Sequence, residues 1–217
     1  MLDAIDIEGK TITADALLTQ REFAKYLVEK RHADYHFTVK NNQQGLLADI
    51  AFQFKDRKEP DFVSCSPPDH GRIELRKIWT TSDLNDYLTF PHVGQIFCIQ
   101  REVTQKKTGK FSCEIAYGLT SKTPEQADPE SVLAVNRGHW CIENSCHYII
   151  DWNYGEDRSR IRTGYGPENI TRLRRFAASL IKAKSVRSAA QKMRQLMLSV
   201  RQVFDYLKMT KNSCPAS

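Results

Sequence analysis

Two carboxylates sit where their chemistry needs a reason. Asp15 closes the β-branched run TITA (11–14). Glu143 stands alone in HWCIENSCHYIIDW (139–152), amid Trp140, Ile142, Tyr148, Ile149, Ile150 and Trp152. Mixed charge follows in GEDRSRIR (155–162), with Glu156 and Asp157 beside Arg158, Arg160 and Arg162. Carboxylates far apart in the chain, joined by a basic surface, could perform metal-dependent phosphodiester chemistry. Hard Mg²⁺ prefers carboxylate oxygens and keeps positions open for phosphate. Two such ions can hold the attacking and the leaving oxygen. On residue type alone the pairing is not specific, because any α/β protein carries an Asp near a strand end.

The charge is uneven. Arg137 to Lys208 holds 14 Lys+Arg against 6 Asp+Glu, so the remainder of a chain of net charge +6 is slightly acidic. A basic C-terminal third suggests a polyanionic partner, nucleic acid above all. A solvated basic helix face is the plain alternative. No run is long enough to span a membrane, and MLDAIDIEGK does not read as a secretory leader. The expected location is the cytoplasm. The six cysteines form no CxxC pair and are expected to be mostly small buried side chains rather than a disulfide framework.

The elements that must position the two acids follow from periodicity. TITADAL (11–17) reads as a strand ending at Asp15, and 19–31 as a helix opened by a Thr19–Glu22 capping box. DYHFTVK (34–40) is a second strand, NNQQ a turn, and GLLADIAFQF (45–54) an amphipathic helix. That alternation predicts parallel α/β structure, in which sites form beyond the carboxyl ends of strands. RIELRKIW, QIFCIQREV and FSCEIAYGLT are strand-like, with PPDHG and KKTGK as turns and SDLNDYL as a short helix. This block reads as a β-rich insertion. From 123 onward the chain is helical, with long helices over 169–184 and 185–208, and a disordered tail over 211–217.

Several polar residues have two readings each. Lys40 and Gln43 end the second strand and could touch DNA, or belong to a strand-to-helix turn. Arg72, Glu74 and Arg76 share one strand face, opposite Ile73 and Leu75; they could meet phosphate or form cross-strand ion pairs. His139, Cys141, Cys146 and His147 spread around a helix, so their spacing does not favour zinc. His139 lies four residues before Glu143 and could orient it or touch phosphate. Arg172, Arg175 and Lys182 line one helix face, suited to DNA backbone or to solvent. The last helix could pack on the core or form a homodimer contact.

ITADALLTQ (12–20), FTVKNNQ (37–43), HGRIELR (70–76), NRGHWCIENSCHYIIDWNYGEDRSRIR (136–162) and GPENITRLRRFAASLIK (166–182) occur in the order of one family. Through them the chain resembles the DDE-type transposases of bacterial insertion sequences, in particular the H-repeat-associated group. The resemblance implies an α/β fold with a partial RNase H-like core, Mg²⁺ or Mn²⁺ as cofactor, and double-stranded insertion-sequence ends as partner. It makes Asp15, in the TxDA motif, and Glu143, in HWxIEN, the second and third catalytic, metal-holding acids. It places Arg160 and Arg162 near DNA. It divides the chain into 1–58, a partial core; 59–122, a β-rich insertion; and 123–210, helical and carrying Glu143. The family's first Asp, on an earlier strand in a DGK motif, has no counterpart here: Asp3 and Asp6 lie too close to Asp15. The expectation is a truncated transposase, or a catalytically inactive DNA-binding remnant.

Overall fold

The structure is a computed structural model that describes residues 2–69, 71–142, 154, 155, 158–184 and 188–209, with side chains except at 67–69 and 140–142. Glu143, Cys146, His147, Glu156, Asp157 and the tail lie outside the described residues. Residues 1–139 and 140–217 form two compact units.

The first unit is α/β. Strand β1 (Thr11–Ala14) leads through a 3₁₀ turn (Ala16–Leu18) into α1 (Arg21–Lys25), which widens into a π-helical turn (Tyr26–Lys30). Strand β2 (Asp34–Val39) and α2 (Gln44–Phe54) follow. A meander of β3 (Phe62–Asp69), β4 (Arg72–Thr81), β5 (Gln95–Gln105) and β6 (Phe111–Thr120) comes next. Helix α3 (Pro129–Ile142) follows, and its residues through His139 belong to this unit. The six strands form one sheet in the order β1-β2-β6-β5-β4-β3. Only β1 and β2 pair in parallel; the other neighbours are antiparallel. The segment expected as an insertion thus supplies four strands to the sheet that also holds β1 and β2.

Alternation assigns the two faces. Tyr35, Phe37 and Val39 of β2 join Ile96, Cys98 and Leu119 beneath α1 and α2, in a core that includes Leu27, Ile50 and Phe54. On the other face Ile78, Phe97 and Ile99 meet Val132 and Leu133 of α3. Gly118 is needed there, because a Cβ would run into the Phe97 ring and the Phe37 carbonyl. Helix α3 also reaches both sheet edges: His139 meets Thr13 of β1 at 3.0 Å, and Arg137 meets Ser64 and Ser66 of β3, each at 3.5 Å.

Four local readings are corrected. Thr19 does not cap α1; its hydroxyl donates to the Thr38 carbonyl at 2.8 Å, and the helix opens after Gln20. β3 was hidden by Pro67 and Pro68, which an edge strand tolerates where the register shifts between Ser66 and Asp69. SDLNDYL forms turns, with the Asn85 amide donating to the Gly94 carbonyl. The segment read as one C-terminal helix is divided into α5 (Ala189–Met197) and α6 (Val200–Tyr206), because Ser199 caps the Gln202 N–H and so starts a new helix. Of the described cysteines, Cys98 is buried but Cys65 and Cys113 are exposed.

The second unit contains α4 (Gly166–Lys182), α5 and α6. Ala178, Ile181 and Met193 are its buried apolar centre, with Tyr154, Leu196 and Tyr206 packed against them. No helix among the described residues is long and apolar enough to cross a membrane.

Candidate functional site

The parallel pair β1–β2 delivers two side chains to the same end. Asp15 follows β1 in extended backbone, and its carboxylate accepts the Ala16 N–H at 2.7 Å. Lys40 follows β2, and its ammonium donates to the same carboxylate oxygen at 2.9 Å. The Lys40 hydrogen bond first, then the Ala16 N–H, hold the Asp15 carboxyl below its ordinary range; the Lys40 and His139 charges add to this. Asp15 is therefore ionised at neutral pH. Its side chain and that of Lys40 are 61% and 60% exposed. Water screens such a pair, so it adds only about 0–1 kcal/mol to stability. What it fixes is charge: a carboxylate at a strand end with a cation already drawn to it.

The loops that bear these residues are stitched together. The Asn42 amide donates to the Ala16 carbonyl at 2.7 Å, and the Gln43 amide to the Thr19 carbonyl. Gln43, expected at DNA, thus spends its donor on the loop that presents Asp15. A groove of about 620 Å³ opens beside Lys40, between Ala16–Leu17, Asn41–Asn42 and Ile115–Tyr117 of β6.

Behind Asp15 lies a layer of polar residues in which His139 is joined by two that sequence reading missed, His36 and Asn136. His36, in register with Thr13, is 3% exposed and stacks on Phe97 at 4.5 Å between ring centroids. Its Nε2 lies 3.5 Å from the Asn136 amide of α3. Burial, then the nearby His139, push its pKa down to about 3, so it is neutral. One turn beyond Asn136, His139 places Nδ1 on the Thr13 hydroxyl. The alternation of Asp34, His36 and Thr38 on one face of β2 was the available signal.

The other expected residues fall elsewhere. Arg76 pairs with Glu74 along β4, and Glu74 also takes Arg101 of β5 at 3.2 Å across the strands. Arg72 is exposed at the far end of β4. In the second unit Arg160, Arg162 and Arg175 are exposed, and Arg172 pairs with Glu168 at 2.5 Å. Glu143 lies outside the described residues.

A family model described as the transposase DDE domain matches residues 1–179. The chain belongs to the DDE transposase family. It is 28% identical over 205 residues to "Putative transposase YncI" of Escherichia coli O157:H7, covering 90% of this chain and 52% of that protein. It is 29% identical over 192 residues to "H repeat-associated putative transposase YhhI" of Escherichia coli K12, covering 83% of this chain and 50% of that protein. The chain spans about half the length of the curated relatives it matches.

Transposases of this family typically use a divalent metal. The donor chemistry at Asp15 fits a hard cation: an ionised, exposed carboxylate with one oxygen engaged by Lys40 and Ala16. Among the described residues, no three His, Cys, Asp or Glu side chains converge as a metal site.

Proposed function

We propose that this chain is the part of a DDE transposase that holds Asp15 and Glu143 for cleavage and strand transfer at insertion-sequence ends. In this reading β1 and β2 belong to a partial RNase H-like core, 59–122 is inserted into it, and the helical part carries Glu143. Asp15 and Glu143 would hold Mg²⁺ or Mn²⁺. The metal, when bound, supplies Lewis-acid activation of the attacking oxygen, water first and a 3′-hydroxyl in strand transfer. Lys40 would exchange its contact with Asp15 for a substrate phosphate, and His139, on Thr13, would lie beside it. Arg160, Arg162, Arg172 and Arg175 would meet backbone phosphates of double-stranded DNA. The observation that carries this reading is the ionised Asp15 at the carboxyl end of the parallel pair, with Lys40 on it.

The same ion pair favours a second reading. An ammonium seated on Asp15 competes with a metal, as it would in a catalytically inactive DNA-binding remnant. Nicking of supercoiled plasmid with Mg²⁺ separates the two. The first reading expects nicks that disappear in both Asp15→Asn and Glu143→Gln. Nicking that survives both substitutions overturns it, and DNA binding without nicking establishes the second.

A further inference from the structure

Strands β4, β5 and β6 run well past the parallel pair. Val39, the last residue of β2, pairs with Tyr117, yet β6 begins at Phe111. Six residues of strand span about 20 Å. This overhang lies on the side to which β2 delivers Lys40 and β1 delivers Asp15, and the groove beside Lys40 is walled by Ile115–Tyr117 of the overhanging strand.

The overhang ends at Gly71, which precedes β4, and at the turn over 105–110. They are tied by a bond from the Lys106 N–H to the Gly71 carbonyl, 2.9 Å. Gly71 and Gly109 both have positive φ, which lets each turn close tightly. The joined tips carry Arg72, Lys106, Lys107 and Lys110, all exposed. Residues 71–73 and 105–111 contain no carboxylate; the nearest acid in register is Asp69, opposite Arg72.

We infer that this double-hairpin end is a second DNA contact, a phosphate clamp for the duplex that reaches Asp15. The inference rests on the proposed DNA function and adds a site to it. Four cations on one tip are suited to the backbone of a duplex, which carries a phosphate every 3.4 Å along each strand. An overhang of about 20 Å sets the clamp roughly six base-pair steps from the point facing Asp15. Duplex length therefore matters: flanking DNA shorter than that cannot reach the tip.

The test is the salt dependence of binding to a 24-base-pair duplex. The variant Arg72→Gln, Lys106→Gln, Lys107→Gln, Lys110→Gln is compared with the natural chain. Each lost phosphate contact lowers the slope of log K against log salt by about 0.9. The slope should become shallower by about 2 to 4, with unchanged thermal midpoint and Mn²⁺ affinity. Exchanging Arg and Lys at the four positions should preserve it. An unchanged slope in the Gln variant overturns the clamp and leaves the site at Asp15 standing, the lysines then being edge charges that only discourage aggregation. A natural chain that binds no duplex at all overturns both the DNA function and the clamp.

Discussion

The two halves of the same strands obey different physics. At the root of the sheet Ile78, Ile96, Phe97, Ile99 and Leu119 are buried, and helices cover both faces. In the overhang Ile73, Phe111 and Ile115 are exposed, and ion pairs cross the strands: Lys77–Glu102 at 2.6 Å, and Arg101 to both Glu74 and Glu114. Burial pushes the Glu74 carboxyl up, but the Arg101 hydrogen bond and the Arg76, Arg101 and Arg137 charges outweigh it and hold it below its ordinary range. The root stabilises the fold and fixes Asp15. The overhang contributes less to stability and carries exposed charge at its tip. A stable platform and a polar projection are thus built from one set of strands, with the change falling near residue 77 of β4 and residue 100 of β5.

Truncating rings on the two halves should break the symmetry most visibly. Phe97→Ala should cost about 3–5 kcal/mol in denaturant unfolding, since the ring is fully buried between sheet and α3. Phe111→Ala, on the neighbouring strand but 59% exposed, should change stability by no more than about 0.5 kcal/mol. Equal costs would show that the overhang is packed in solution. Glu74→Gln should come next, at about 1–3 kcal/mol, because Glu74 and Arg76 are only 20% and 17% exposed, Arg76 loses its carboxylate and Arg101 keeps only Glu114. Its measure is the urea midpoint at low and high salt; a shift no larger than for an exposed pair would mean the network does not hold the strands.

His36 gives the root a pH signature. Its pKa is 6.5 in the unfolded chain and about 3 in the fold, so below pH 6.5 the unfolded state binds more protons. Stability should be unaffected above pH 6.5 and fall as pH drops from there toward 3, by up to about 1.4 kcal/mol per unit. Urea titrations between about pH 6.5 and about 5.5 read the effect before the carboxylates protonate. His36→Leu should flatten the curve, and an unchanged slope would place the charge elsewhere. Asp15→Asn should also cost little stability, about 1 kcal/mol or less, because its pair with Lys40 is screened. The contribution of Asp15 is present above pH 3.8 and is lost as pH falls through its lowered folded value.

Where a segment's own pattern decided its state, the sequence was readable. TITA, DYHFTV and three of the four strands of the meander were readable as strands, and β5 and β6 fall within a few residues of their expected bounds. Asp15 and Lys40 were legible for the same reason: both follow a strand that points the same way. Long-range partners were not. Nothing near Thr19 says that its hydroxyl will serve Thr38 instead of the helix that follows, and nothing near His36 names Asn136, 100 residues on. The bond from the Gln43 amide to the Thr19 carbonyl was not readable, because that carbonyl belongs to another loop. The two prolines argued against a strand until β3 proved to lie at the sheet edge. The basic tip of the overhang needed the topology, since Arg72 and Lys106 are brought together only by the pairing of β4 with β5.

The most direct test of the central claim is a Mn²⁺ titration, followed by calorimetry, of the natural chain, Asp15→Asn and Glu143→Gln. If the two carboxylates hold a metal together, the natural chain binds saturably and each substitution weakens binding at least tenfold, the fold remaining intact. Binding that is the same in all three proteins would contradict a metal held by Asp15 and Glu143.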